Sequence, residues 1–198
     1  MRVAISHIDR IIVTPRVAKH RLFIWLAAEA YPDNRLNVFA RDDDYFFGVL
    51  HSRAHEVWSL HMASRHSLGN DPTYTNTTCF ETFPLPWPPG AEPVDDPRVV
   101  AIGEAAARLD VLRRNWLDPD GATEIELKKR TLTNLYNQRP SWLQHAHADL
   151  DRAVWAAYGW DDPVPADVTE DTILSRLLAL NLERARFLED LSEEGSLQ

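Results

Sequence analysis

The 198-residue sequence contains one arrangement of two acids and a lysine that could bind Mg²⁺ in a nuclease. Asp120 follows Pro119, and Glu126 and Lys128 come shortly after it. Such a site needs its two carboxylates on adjacent strands, so that both converge on the metal ion. Here five residues separate the two acids, and the surrounding pattern is helical. The segment is therefore interpreted as the exposed, charged start of a helix.

Other candidates for catalysis or metal binding are equally incomplete. His51 and His55 lie four residues apart, but no third ligand follows at a spacing typical of zinc sites. Cys79 lies in an expected strand beside Phe80, which favours a small buried side chain over a nucleophile. None of the seven glycines forms a phosphate or cofactor loop. The sequence therefore predicts no metal site and no catalytic residue, and it leaves enzymatic activity undecided.

A polar segment, residues 64–75, is the strongest candidate for binding. It contains the turn signals Gly69-Asn70 and Asp71-Pro72 and has almost nothing apolar to bury. Polar loops on a rigid frame are the usual place for recognition. We therefore expect this segment to make the contacts that matter for function.

The elements before the polar segment form its frame. Residues 36–40 alternate between inward and outward positions, and the aromatic run 45–50 is also typical of a strand, with Asp42–Asp44 as the turn between them. From Ser52 onward, apolar residues recur three or four apart, which predicts a helix capped by Ser52. Residues 76–83 are expected to form a further strand.

A basic turn precedes this frame. Ile11–Val13 and Leu22–Leu26 are predicted to be strands, and the second is apolar enough to be buried on both faces. Between them lie four basic side chains, which form either a solvated turn or a rim that contacts phosphate groups. These residues are Arg16, Lys19, His20 and Arg21.

The second half of the chain is predicted to be helical. Six prolines in residues 84–97 exclude a helix or central strand, so we place a domain boundary there, with domains 1–87 and 88–198. Helices are expected at 97–117, 123–136, 142–158 and from Thr169 onward. The fold class is α+β: an N-terminal mixed β-sheet with a recognition helix and loop, followed by an all-helical C-terminal domain.

Net charge also differs between the two halves of the chain. The net charge is -9, yet residues 1–90 hold nine basic and nine acidic residues, so the acidity belongs to the second half. The single cysteine excludes a disulfide framework, no secretory signal is evident, and no apolar run is long enough to span a membrane. We therefore expect a cytoplasmic protein without a membrane segment.

Five long motifs together resemble the C-terminal third of MmeI-like type IIL/IIG restriction-modification enzymes. They are VTPRVAKHRLFIWL, VFARDDDYFFGVLHSRAHEVW, TCFETFPLPWPP, LKKRTLTNLYNQRPSWL and LDRAVWAAYGW. The resemblance covers nearly the whole chain in the right order. It implies that residues up to about 87 form a target recognition domain for double-stranded DNA, followed by a helical region.

The resemblance also implies roles for individual residues. Base-reading side chains of such domains come from the helix end and the loop that follows it. In this sequence, they are Arg65, His66, Asn70, Asp71 and Thr73. Phosphate contacts are assigned to Arg16, Lys19, His20, Arg21 and Arg53.

The family's cofactor and catalytic motifs are not found in this sequence. S-adenosylmethionine and Mg²⁺ are accordingly expected only in the methyltransferase and nuclease parts of the parent enzyme. Three alternatives remain open: a DNA recognition module, a protein interaction module that complements a separate methyltransferase core chain, and a non-functional gene remnant.

Overall fold

A computed structural model describes residues 7–30, 32–65 and 71–195, and it has the expected α+β class. Strands and two helices come first, and further helices follow. The strands are β1 (Arg10–Pro15), β2 (Ile24–Ala27), β3 (Leu36–Phe39), β4 (Ser64–Arg65) and β5 (Pro72–Thr73); the helices are α1 (Asp44–His51), α2 (Arg53–Met62), α3 (Pro97–Leu117), α4 (Glu124–Leu127), α5 (Leu132–Gln138), α6 (Ser141–Tyr158) and α7 (Glu170–Gly195).

The main sheet has the strand order β2-β1-β3, and both of its pairings are antiparallel, where we expected a mixed sheet. The central strand β1 is buried on both faces through Ile11, Ile12 and Val13. The prediction assigned that burial to the next strand, which instead lies at the sheet edge and is only half-buried. Apolar content alone did not distinguish the central strand from its neighbour.

Helix α1 corrects the prediction of a strand over residues 45–50. Asp43 caps it, because the Asp43 side chain accepts a hydrogen bond from the Phe46 backbone N–H. All residues from Tyr45 to His51 are buried, so this helix has no polar face and lacks helical periodicity in its sequence. Gly48 lets it approach α3 closely: a Cβ at this position would lie 2.7 Å from Ile102 Cγ2.

A second correction concerns residues 76–83. Asn76–Phe80 form a π-helical turn against α2 instead of a strand. Cys79 in this turn is buried and is a free thiol, as expected for a small core side chain. Its Sγ contacts the Ser59 carbonyl at 3.5 Å.

Local capping explains the boundaries of the long helices. Asp96 caps α3, Pro97 occupies the first helical position, and α6 ends at Gly159 with φ 71°. The helical piece expected at 123–136 is divided into α4 and α5. Because Thr131 caps the second of them, the division follows from the sequence.

One hydrophobic core includes residues from both halves, from Ile12 to Leu177. The proline-rich segment packs against the helical half: Tyr158 donates to the Pro84 carbonyl at 2.8 Å, and Arg184 donates to the carbonyls of Leu85 and Pro86. The boundary near residue 87 therefore stays a prediction. Within the described ranges, no helix is long and apolar enough to cross a membrane.

Candidate nucleic-acid interface

The polar loop connects the two short strands β4 and β5. Ser64 pairs with Thr73, and Arg65 pairs with Pro72. Thr73 also forms a bridge to Val17, so the stem of this hairpin is attached to the basic turn. The stem is therefore held by two neighbouring segments of backbone.

Tyr74 anchors the hairpin in the core. It is buried, its backbone N–H donates to the Arg16 carbonyl at 2.7 Å, and its carbonyl accepts from Asn37 Nδ2 at 3.0 Å. Its hydroxyl lies 3.0 Å from His55 Nε2. His55 Nδ1 lies 2.8 Å from the Leu50 carbonyl and must donate to it. His55 Nε2 therefore accepts a hydrogen bond from the Tyr74 hydroxyl. Burial lowers the pKa of His55 to about 4, which keeps this neutral form at physiological pH.

Arg21 is also a structural anchor, which corrects its assignment to a phosphate contact. It is only 6% exposed, and it donates to Thr14 Oγ1 at 3.0 Å, to the Pro72 carbonyl at 3.2 Å and to the Pro15 carbonyl. Its guanidinium also lies over the Tyr74 ring, 4.9 Å from the centroid. Burial lowers its pKa. The side chain thus fastens the hairpin to the end of β1 and is not free to bind phosphate.

Arg53 is half-buried and also makes structural contacts. Its backbone N–H donates to Asp151 Oδ1 at 2.7 Å, and its guanidinium donates to the Val168 carbonyl at 3.0 Å. Both contacts join the first turn of α2 to the helical half. We therefore remove Arg53 from the set of phosphate contacts.

The other basic residues lie at the surface beside the hairpin. Arg16 and Lys19 are exposed, and His20 is half-buried. Lys19 Nζ donates to Asn137 Oδ1 at 2.7 Å, and His20 Nε2 lies 2.9 Å from the same oxygen. These three residues form a basic rim next to the stem of the loop.

The expected base-reading residues are only partly described. Asp71 and Thr73 are half-buried at the stem. His66 and Asn70 lie outside the described residues, and so does the side chain of Arg65. Their assignment therefore stays a prediction.

A buried polar contact that the sequence did not predict joins three elements behind the rim. Arg113 donates to the Phe23 carbonyl at 3.0 Å and contacts His51 Nε2 at 3.1 Å. The same ring nitrogen also lies 2.8 Å from the Phe23 carbonyl. Burial and the neighbouring Arg113 charge lower the pKa of His51 well below its usual value. His51 and His55 are thus core histidines.

A cleft of about 450 Å³ opens between α2 and the start of α6. Arg139 and His147 line it together with Glu56 and Asp151. Burial raises the pKa of Asp151 to about 7, and the hydrogen bond from Arg53 opposes that rise. Among the described residues, no three His, Cys, Asp or Glu side chains are grouped to hold a metal ion.

The arrangement that resembled a nuclease site has a local structural role. Glu126 accepts hydrogen bonds from the Thr123 backbone and hydroxyl and forms a capping box at the start of α4. Lys128 pairs with Glu124 at 2.9 Å. These contacts agree with an exposed, charged helix start.

Comparisons with known proteins match this frame. The model of the family described as "MmeI, target recognition domain" matches residues 5–87. DNA methyltransferase A of Bacillus subtilis (strain 168) is 28% identical over 156 residues, which are 74% of this chain and 15% of that protein. The structure of the type IIL restriction-modification enzyme MmeI in complex with DNA superposes with a TM-score of 0.69 at 21% identity, over 90% of this chain and 22% of that one.

The family match covers the hairpin and its anchors. The structural likeness extends the shared fold through most of the helical half, while the chain spans less than a quarter of the length of either relative. The family match begins before β1 and ends in the proline-rich segment. Over residues 5–87, this chain is similar to MmeI target recognition domains.

Proposed function

We propose that this chain is the DNA sequence recognition module of an MmeI-like adenine-specific DNA methyltransferase and restriction enzyme. The family match over residues 5–87 is the observation that carries this proposal. The module reads double-stranded DNA in the cytoplasm with the loop between β4 and β5. Catalysis belongs to other parts of the parent enzyme.

The frame supports base reading because it fixes both ends of the loop. Tyr74 and Arg21 hold one end in the core, and α2 holds the other. A loop whose ends are fixed loses less conformational entropy when it binds DNA. In this proposal, each bidentate contact from the loop to a base contributes about 1–3 kcal/mol of discrimination.

Base-reading roles follow from donor and acceptor chemistry. Arg65 and His66 donate to guanine, Asn70 pairs with adenine, and Asp71 accepts from cytosine N4. Thr73 reads the base nearest the stem. Arg16, Lys19 and His20 contact phosphate groups and set the register of the protein on the duplex.

The cofactor chemistry is assigned to the parent enzyme. S-adenosylmethionine supplies the methyl group in its methyltransferase part, and Mg²⁺ serves its nuclease part. Neither group is assigned to residues of this chain. A methyltransferase core is accordingly the proposed protein partner.

The test is selection from a pool of randomised DNA duplexes by the 198-residue chain, with sequencing of the retained DNA. One short motif should be enriched. Asn70→Ala or Asp71→Ala should relax the preference at one position, whereas Lys19→Ala should weaken binding to all sequences equally. If both kinds of variant affect every sequence alike, the division into base-reading and phosphate-contacting residues is wrong.

A second candidate function is docking onto a separate methyltransferase core without DNA binding by the chain itself. The apolar surface of α7 favours it: Leu178, Leu182 and Phe187 are 52%, 51% and 63% exposed. Exposed apolar residues on one helix are typical of interaction surfaces. Stable co-purification with such a core, combined with no retardation of DNA by the isolated chain, would select this function.

A further inference from the structure

The two longest stretches of the sequence without an acidic residue are 10–28 and 127–148. Residues 10–28 include the basic turn, and residues 127–148 lie in the half that holds 21 acidic residues against 12 basic ones. Such a stretch is unexpected in an acidic half. The second stretch contains Lys128, Lys129, Arg130, Arg139, His145 and His147.

The fold brings these two stretches together at Asn137. Its Oδ1 accepts from Lys19 Nζ at 2.7 Å and lies 2.9 Å from His20 Nε2. Because this oxygen only accepts, the His20 nitrogen is the protonated donor. The His20 and Tyr136 rings also lie 6.0 Å apart. The C-terminal end of α5 is thus fixed against the basic rim.

Arg139 follows at the turn between α5 and α6. It is the one residue other than glycine with positive φ among those described, at φ 44° and ψ 60°. A side chain in this left-handed conformation is strained, and such strain persists where the surroundings or a function require it. Its backbone N–H still donates to the Leu135 carbonyl at 2.8 Å, so the turn itself needs no arginine side chain.

Arg139 is exposed. It lines one small pocket together with His20. Within the described ranges, its guanidinium makes no hydrogen bond or ion pair. It therefore keeps its donors available for a ligand, unlike Arg21 and Arg53.

The acids near Arg139 do not cancel this positive charge. Glu56 lines the same pocket, and Asp151 lines the adjoining cleft. Burial raises the pKa of Asp151 to about 7, so its carboxyl group is only partly charged at neutral pH. Arg16, Lys19 and Arg139 carry three positive charges on this surface, and the carboxylates that line the pocket and the cleft are Glu56 and Asp151.

We propose that the phosphate-binding surface is composite, with Arg139 of the helical half contacting the DNA backbone next to Arg16 and Lys19. The proposal rests on the proposed function, and it identifies a DNA contact outside residues 5–87. The hydrogen bond between Lys19 and Asn137 holds the basic turn beside the end of α5, which Arg139 follows. Although the helical half is acidic as a whole, its surface beside the hairpin is basic.

The experiment measures binding of the 198-residue chain to a fluorescently labelled random-sequence duplex at several salt concentrations. Arg139→Gln should weaken binding and reduce the slope of log K against log salt by about one, as expected for one lost phosphate contact. Arg139→Lys keeps the charge and should retain the slope. Arg98→Gln is the matched control, because Arg98 lies in the first turn of α3, at the opposite end from Arg113, and should leave the slope unchanged.

Folding is verified by urea denaturation of each variant. If Arg139→Gln is destabilised, Arg139→Asn replaces it, because asparagine tolerates the left-handed conformation. If the wild type binds the duplex but the Gln or Asn variant of Arg139 has the same affinity and salt slope, Arg139 does not contact phosphate. The composite surface is then wrong, while the proposed function stands. Absence of any duplex binding by the wild type would overturn the proposed function as well.

Discussion

Replacing Arg21 with methionine separates an anchoring role from a phosphate contact. Methionine retains an unbranched stem of similar length but loses the guanidinium. The buried Pro72 carbonyl and the part-buried Pro15 carbonyl then lose their donor, whereas Thr14 Oγ1 keeps its bond to the Leu22 carbonyl at 2.8 Å. A buried acceptor without a partner costs about 1–3 kcal/mol. Removal of a buried cation that has no carboxylate partner offsets part of this cost. We therefore expect a loss of about 2–3 kcal/mol in the free energy of unfolding.

Urea denaturation and DNA binding measure the two roles independently. With a urea dependence of about 2 kcal/mol per molar, the midpoint should fall by about 1–1.5 M. Under conditions where the variant is folded, the salt slope of its DNA affinity should equal that of the wild type, since no phosphate contact is lost.

The opposite pattern would refute this reasoning. An unchanged midpoint with a salt slope lowered by about one would show that Arg21 contacts phosphate, as assigned from the family resemblance. Arg16→Met is the matched control, because Arg16 is exposed five residues earlier. It should change stability by no more than about 0.5 kcal/mol while lowering the slope.

Two further predictions concern the support behind the interface. The pKa of Asp151 is raised to about 7 in the folded state. Between about pH 4 and pH 7, the folded protein therefore holds a proton on Asp151 that the unfolded chain has released. The free energy of unfolding accordingly falls as pH rises through this range. Asp151→Asn keeps an acceptor for the Arg53 N–H, so its stability relative to the wild type should increase between pH 5 and pH 8 in urea denaturation; a constant difference would contradict the assignment. Gly48→Ala should destabilise by about 1–3 kcal/mol, because its Cβ would lie 2.7 Å from Ile102 Cγ2 and 3.0 Å from Ala106 Cβ. Gly103→Ala, whose nearest neighbours are at 3.7 and 3.8 Å, should instead stabilise α3 by about 0.5–1 kcal/mol, and equal effects of the two changes in thermal denaturation would argue against close packing at Gly48.

Local chemistry accounts for the parts of the fold that the sequence predicted correctly. Ser52 and Asp96 cap helices, and Gly159 ends one, through contacts with residues only a few positions away. A cap satisfies backbone groups of its own helix, so its signal does not depend on the rest of the fold. These helix boundaries can therefore be predicted from short segments of the sequence.

The main error of the prediction is the strand assigned to residues 45–50, and it arises because this segment is buried on all sides. Residues 45–50 lie between the sheet and α3, so no polar position marks the helical period. A short apolar run of this kind is typical of a buried strand as well as of a buried helix. Asp43 carried the only local sign of the helix start, and we interpreted it as part of a turn.

The role of each basic residue depends on distant parts of the chain. Arg16, Lys19 and Arg21 have the same local setting in the sequence. Arg21 becomes an anchor because the Pro72 carbonyl, 51 positions away, accepts from it. Lys19 is placed by Asn137, 118 positions away. The spacing of the basic residues within the turn therefore identifies the cluster, but it does not assign a role to each residue.

In the proposed interface, fold stability and DNA specificity depend on different residues. The anchors of the hairpin, Tyr74, His55 and Arg21, are buried and make contacts that hold its stem in place. The loop that they support consists mainly of polar residues in the sequence. Since surface substitutions away from such anchors usually change stability by less than about 0.5 kcal/mol, loop residues can vary without loss of the fold. Under the proposed function, loop substitutions should change the DNA preference, whereas the proposed phosphate contacts of Arg16, Lys19 and Arg139 should keep the same register on the duplex.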